Sequence, residues 1–212
     1  MARNTKRREV GRPRIFSDEA IFAATGLAIR LQGHTEFTLE SIALEVGCTR
    51  QAILRRFGSK QALLLAYLER TQRAIAENYR IDDTGDASPV EALRARFMAE
   101  PDIRMEINDD QATQSRVLAF MLTASNDPKI SPQFEAIHQT YLTEIERVLA
   151  AAIARGEIRE VEPGMLARTL YSASIGETVL WASTPETRSH AARLGTIFDA
   201  IVTPYRVSAS GS

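Results

Sequence analysis

The chain has 212 residues, with 26 Lys/Arg against 27 Asp/Glu, 44% hydrophobic and 25% charged residues. That length allows one substantial core or two small ones, and the composition is that of a soluble globular protein. No apolar run approaches the roughly 18 residues of a membrane span, and the N-terminal stretch lacks a signal peptide's apolar segment, so a cytoplasmic location and no membrane partner are expected. One cysteine, Cys48, excludes an internal disulfide. The net charge of −1 conceals a split: residues 1–60 hold 11 Lys/Arg against 6 Asp/Glu, and residues 61–212 hold 15 against 21.

The basic half opens with an arm, residues 1–14, carrying Arg3, Lys6, Arg7, Arg8, Arg12 and Arg14 with the single acid Glu9. Such a segment is expected to be disordered when free. Gly11-Arg12-Pro13-Arg14 resembles the core of an AT-hook, in which a stiffened backbone puts arginines, here Arg12 and Arg14, into a narrow minor groove. A solubilising tail with general phosphate attraction is the alternative. Ser17 then caps a helix predicted over 18–33, with Ile21, Phe22, Thr25, Leu27, Ala28 and Leu31 towards the core and Gly33 at its end. His34, just beyond, reads as a loop residue.

Phe37 to Leu65 carries two short helices at a sharp turn. Thr38 can cap the first, in which Ile42, Ala43 and Val46 share a face, and Gly47 stops it. Thr49 caps the second, and Ile53 and Phe57 return it to the same core. Ala43, Gly47 and Ile53 stand at offsets of four and six: a small residue where helices cross, a flexible one at the turn, an apolar plug beyond. This is a helix-turn-helix pattern. Its exposed face offers Arg50, Gln51, Arg55 and Arg56, with Lys60 opening the next helix. Arg and Gln make paired hydrogen bonds to base edges, whereas hydroxyls, Lys and helix N-termini suit phosphates.

The run IALEVGCTRQAILRRFGSKQALL resembles the TetR-type helix-turn-helix, I-A-x-x-A-G-V-S-x-G-x-L-Y-x-H/Y-F-x-S-K-x-x-L. The resemblance implies that Thr38, Thr49 and Lys60 contact phosphates and that Arg50, Gln51 and Ala52 lie where bases are read. There are departures from the pattern. Leu54 replaces a phosphate-binding Tyr, Arg56 stands where His or Tyr is usual, and Gln51 where Gly is frequent. Arg56 can restore from a neighbouring position the backbone contact that Leu54 removes.

Ser59 caps a longer helix over 60–80, whose Leu63, Leu64, Tyr67 and Leu68 pack back on the motif before the chain leaves it. After an acidic loop at 82–88, helical segments are predicted at 89–99, 102–108, 110–126, 131–155, 163–183 and 186–205, with few alternations that suggest strands. The fold class is therefore all-α. The domains read as a basic arm (1–14), a three-helix DNA-binding domain (15–65), a C-terminal ligand-binding and dimerisation domain (66–205) and a disordered tail (206–212).

Helices 131–155 and 163–183 are candidates for self-association. The first carries Phe134, Ile137, Tyr141, Ile145, Val148, Leu149 and Ile153; the second mixes Leu166, Leu170, Ile175, Val179 and Leu180 with Ser172, Ala173, Ser174 and Gly176. Small residues let helices approach closely, as in a four-helix bundle between two copies, and TetR-like proteins dimerise through their last long helices. Packing within one chain is the alternative. A pocket among the middle helices, which the resemblance implies, groups Phe97, Met105, Arg116, Phe120, Met121, His138, Tyr141, Tyr171, Thr178 and Trp181 as candidate ligand contacts. Core or surface roles are the alternative for each.

The expectation is a homodimeric, ligand-responsive repressor on a palindromic DNA operator, released by a small, mostly apolar effector. An architectural protein or activator that uses its C-terminal domain only to dimerise is the competing reading. An enzyme is not expected: there is no G-x-S-x-G, H-E-x-x-H or phosphate-cradling glycine loop, and His34, His138 and His190 lack metal-ligand spacing, so neither cofactor nor metal is implied.

Overall fold

Most helices begin where the sequence supplies an oxygen to a free backbone N–H. In the computed structural model, which describes residues 16–33, 37–80, 87–99, 111–184 and 187–207, these are α1 (Asp18–Gln32), α2 (Leu39–Val46), α3 (Arg50–Phe57), α4 (Lys60–Asn78), α5 (Pro89–Met98), α6 (Gln111–Ala124), α7 (Ser131–Ala154), α8 (Pro163–Ser183) and α9 (His190–Val202). Ser17, Thr38, Thr49, Ser59, Ser88 and Ser189 each accept a hydrogen bond from the backbone three residues on. Glu162 does the same for α8 with both carboxylate oxygens. Among the described residues the architecture is all-α, with one isolated antiparallel bridge between Ile158 and Arg206.

The turn between α2 and α3 depends on Gly47, whose φ of 74° and ψ of 35° place it in the left-handed region open to glycine. This conformation lets the Cys48 amide donate to the Ala43 carbonyl at 2.8 Å and closes α2 within one residue. The Thr49 cap then starts α3 at a sharp angle. Ile53, with no exposed surface, plugs α3 onto Ile42, Ala43 and α4 residues Leu63 and Leu64, all buried.

Two apolar clusters fill the molecule. The first joins α1–α4 to Phe120 and Ala124 of α6 and to Ile130, Phe134 and Ile137 at the start of α7. The core of the helix-turn-helix is thus continuous with the helices that follow. The second gathers Val90, Leu93 and Phe97 of α5, Ile145, Val148 and Leu149 of α7, Leu166 and Leu170 of α8, and Phe198 and Val202 of α9. Arg94 grips both carboxylate oxygens of Asp199 at 2.7 Å, fastening α5 to α9.

Several elements differ from the sequence expectation. The last helix starts at His190 rather than 186, because Ser189 supplies the cap, and it ends at Val202 before a 3-10 turn at Thr203–Tyr205. Leu31 is 51% exposed rather than buried, since α1 has turned its last residues to the surface. The apolar face of α7, considered for contact with a second copy, is occupied inside the chain: Phe134, Ile137, Ile145, Val148 and Leu149 are all buried against neighbouring helices. The segment 102–108, His34, the arm, most of the acidic loop and most of the tail lie outside the described residues.

Replacing Ile53 by Ala leaves a hole under the recognition helix and should lower stability by about 2–5 kcal/mol in urea unfolding. Leu44→Ala, at a side chain 84% exposed one helix earlier, should change it by less than about 0.5 kcal/mol.

Candidate nucleic-acid interface and effector region

The caps that build the motif also set its outward chemistry. Thr38 and Thr49 are exposed, and each hydroxyl oxygen accepts from the backbone of its own helix, at 3.1 Å from Ser41 and 3.2 Å from Ala52. Each hydroxyl proton therefore remains available to an outside acceptor, such as a phosphate. Ser41 also accepts from the Thr38 amide, completing a reciprocal capping box.

Along α3, Arg50, Gln51, Arg55 and Arg56 are exposed and Ala52 half-buried. These sit on one short helix with its N-terminus free, which is the presentation expected of a recognition helix. Their charges are not equally available. Arg50 Nε lies 2.8 Å from Glu40 Oε1 on α2. Arg56 turns back to α1: its Nε is 2.5 Å from Asp18 Oδ1 and its Nη1 donates to the Phe16 carbonyl at 3.0 Å. Arg55 has no ion pair among the described residues. A hollow of about 280 Å³ between α3 and the start of α1 is lined by Phe16, Ala52, Arg55 and Arg56. Leu54 is half-buried against the core, so it supplies packing at that position.

Lys60 is partly drawn inward. Its ammonium donates to the Phe37 carbonyl at 2.7 Å and sits 3.9 Å from the centre of the Phe37 ring, and desolvation lowers its pKa. Two of its three N–H donors remain for other partners. Arg12 and Arg14 lie outside the described residues.

The candidate effector contacts separate into groups. His138, Tyr141 and Tyr171 come together: His138 Nδ1 is 2.5 Å from the Tyr171 hydroxyl, and the Tyr141 and Tyr171 rings stack at 5.2 Å. The Tyr141 ring meets edge-on the ring of Tyr79, the residue that ends α4, at 5.9 Å. Burial lowers the His138 pKa and raises those of Tyr79, Tyr141 and Tyr171, keeping imidazole and phenols neutral. Sequence reasoning did not single out Tyr79, because nothing in its spacing shows that the end of α4 meets the middle of α7.

The other candidates have structural partners. Phe97 packs on Phe198 at 5.4 Å between ring centres, and Phe120 on Phe134 at 5.6 Å. Met121 is half-buried beside the first cluster. Trp181 stacks on His190 at 4.9 Å and donates from Nε1 to the Arg188 carbonyl. The Thr178 hydroxyl lies 2.8 Å from the Ser174 carbonyl and 3.0 Å from His190 Nε2. Arg116 reaches away from the aromatic group to the Arg30 carbonyl at 3.1 Å, joining α6 to the last turn of α1. Met105 lies outside the described residues. A hollow of about 410 Å³ opens instead on the outer side of α7 and α8, lined by Gln139, Leu142, Glu146, Glu162, Gly164, Met165 and Arg168.

Residues 21–67 match the family model for bacterial regulatory proteins of the tetR family, and residues 130–204 match the tetracyclin repressor-like C-terminal domain. The chain belongs to the TetR family. It is accordingly a DNA-binding transcription regulator built on the TetR helix-turn-helix and a helical C-terminal domain, and members of this family are not enzymes. No curated protein sequence matches it.

Solved TetR-like structures carry the same fold. SmeT, the repressor of the Stenotrophomonas maltophilia multidrug efflux pump SmeDEF, is 23% identical with a TM-score of 0.67, covering 92% of this chain and 93% of its own. A complex of SmeT with triclosan reaches 24% identity and a TM-score of 0.70 over 92% of this chain and 94% of its own. FadR of Bacillus subtilis, solved with stearoyl-CoA, is 15% identical with a TM-score of 0.69, covering 88% of this chain and 98% of its own. Among the described residues no helix is long and apolar enough to cross a membrane, and no group of three or more His, Cys, Asp or Glu converges as a metal site.

The depressed pKa of His138 carries a pH dependence. The folded state disfavours imidazolium relative to the unfolded chain, so this contribution to stability is present above the ordinary value of 6.5 and is lost as pH falls towards the folded value. Melting temperature measured from about pH 7.5 to about pH 5.5 should therefore fall less steeply for His138→Gln than for the parent protein.

Proposed function

We propose that this TetR-family regulator is a homodimeric repressor that binds a two-fold symmetric operator and is released by a small, mostly apolar effector. The observation that carries the reading is the outward face of α3: Arg50, Gln51 and Arg55 project from a helix whose start and packing are fixed by Thr49, Gly47 and Ile53. In this reading Arg50, Gln51 and Ala52 meet bases, while Thr38, Thr49 and Lys60 meet phosphates. Arg55 adds phosphate attraction, and Arg56 braces α3 against α1. Arg12 and Arg14 of the basic arm enter the adjacent minor groove. The charge excess of residues 1–60 favours DNA although the whole chain is slightly acidic.

Dimerisation is assigned to α8 and α9. Thr169, Ser172, Gly176, Val179 and Leu180 form an exposed stripe on α8, and Ala192, Thr196 and Ala200 form one on α9, against which α8 packs. Two such pairs make a four-helix bundle with small residues at the contact. A dimer of this kind presents two recognition helices to successive major grooves, about 34–36 Å apart on the operator. A Cβ at position 176 would meet nothing within 4 Å in one chain. Gly176→Glu should therefore leave the fold intact while shifting the protein towards monomer in sedimentation analysis.

The effector is placed at His138, Tyr141 and Tyr171, beside the end of α4. Binding there would displace Tyr141 from Tyr79 and move α4, whose first turn holds the DNA-binding helices. A coupling of about 1–3 kcal/mol is typical of such a link. The solved fold relatives hold triclosan and stearoyl-CoA, ligands with large apolar parts, which supports an apolar effector.

Selection of bound sequences from a random duplex pool tests the reading. It should return a two-fold symmetric consensus. Arg50→Ala should then reduce discrimination against random DNA by about 1–3 kcal/mol, whereas Lys60→Ala should weaken all sequences alike. A pool without symmetry, or merely rich in A·T, would favour an architectural role carried by the basic arm.

A further inference from the structure

We propose that Glu40 is a specificity-determining residue of the DNA interface, holding the Nε edge of Arg50 so that the terminal Nη1/Nη2 edge faces a base, while its charge weakens attachment to phosphates at large. The inference rests on the reading of Arg50 as a base contact. Glu40 stands in the first turn of α2 and Arg50 is the first residue of α3, so the pair bridges the two helices across the turn. Both backbones are fixed: Glu40 lies inside the Thr38–Ser41 capping box, and Arg50 follows the Thr49 cap.

The side chains of Arg50 and Glu40 are 48% and 63% exposed. An ion pair that open to water contributes little to folding, so stability does not account for its place. Geometry does. A guanidinium carries five N–H donors in a rigid fork, and the nearest approach of Glu40, 2.8 Å to Nε, is an ion pair on that edge. The two terminal nitrogens remain as a parallel pair, the arrangement that fits O6 and N7 of guanine in the major groove. Holding the long side chain before binding also reduces the rotamer freedom lost on binding. Arg56 differs, because its Nη1 already donates to the Phe16 carbonyl just before α1 and its Nε is ion-paired with Asp18.

The Glu40 charge acts in the opposite direction on random DNA. At a surface where Arg50 finds no guanine, the carboxylate lies within a Debye length of the phosphates, about 8 Å at physiological salt, and repels them. The same repulsion acts on the cognate duplex, so the charge lowers attachment overall and the difference between sequences rests on how Arg50 is held.

The test uses the full chain and its variants Glu40→Ala, Glu40→Gln, Arg50→Ala and Glu40→Ala/Arg50→Ala. Binding is measured to a duplex selected by the parent protein and to a scrambled duplex of the same composition, at about 0.15 M salt. Glu40→Ala and Glu40→Gln should bind the scrambled duplex several-fold more tightly and discriminate roughly tenfold less between the two duplexes. In the Arg50→Ala background, removing Glu40 should cause no further loss of discrimination. An equal gain on both duplexes, with the ratio unchanged, overturns the proposal and leaves Glu40 as a charge alone. So does an equal loss of discrimination with and without Arg50. A parent protein that shows no preference for its selected duplex overturns the base-reading role of Arg50, and the proposal with it. Unchanged melting curves for Glu40→Gln confirm that folding is not what the assay reads.

Discussion

Everything functional in this chain hangs on α4 being packed into two places at once. Its first half, Leu63, Leu64 and Leu68, closes the core beneath the recognition helix, and its last residues carry Ile75 and Tyr79 to the side of α7. A helix buried along one face cannot shift one end without disturbing the packing of the other, because protein interiors are close-packed. Gln72 strengthens the attachment by donating to Thr140 at 3.0 Å and accepting from Gln133 at 2.9 Å. Arg147 adds a hydrogen bond to the Tyr79 carbonyl at 2.7 Å. The regulatory reading follows from this attachment, since a change at the aromatic group reaches α4 by direct contact.

A second route joins the two ends of the molecule. α6 packs on α1, and Arg116 donates to a carbonyl in the last turn of α1, where the helix dipole and free carbonyls favour a cation. Gln61 of α4 also donates to Asp127, in the turn between α6 and α7, at 3.2 Å. The DNA-binding helices are thereby held through α1 and α4 together. The helix-turn-helix is thus tied to the C-terminal helices at two places, through α6 as well as α7.

The recognition face shows that counting basic residues overstates what DNA meets. Of Arg50, Arg55 and Arg56, two are paired with carboxylates on neighbouring helices. Arg56 and Lys60 each donate to a backbone carbonyl as well, so both serve the frame. Backbone carbonyls near the start of α1 and α2 find charged donors there, while the Arg50 and Arg55 side chains stay exposed. Charge at this surface is arranged as much as accumulated.

The sequence by itself determined the local structure and, through it, the family. Thr38, Thr49, Ser59 and Gly47 act within a few residues of their own positions, and the periods of Ile42, Ala43 and Ile53 report one buried face, so caps, turn and recognition helix were legible without coordinates. The bounds of α8 were legible for the same reason, with Pro163 at one end and Thr184-Pro185 at the other. Tertiary structure alone decided which apolar faces meet. Both α7 and α8 carry apolar residues at helical spacing, yet α7 buries its face within the chain, while α8 leaves Val179 and Leu180 exposed. It also separated Arg116 from the aromatic residues and brought Tyr79 to them across some sixty positions of sequence. Periodicity records that a face is buried. It carries no record of the partner, because hydrophobic burial is non-directional and the partner is set by how all the helices fill one volume.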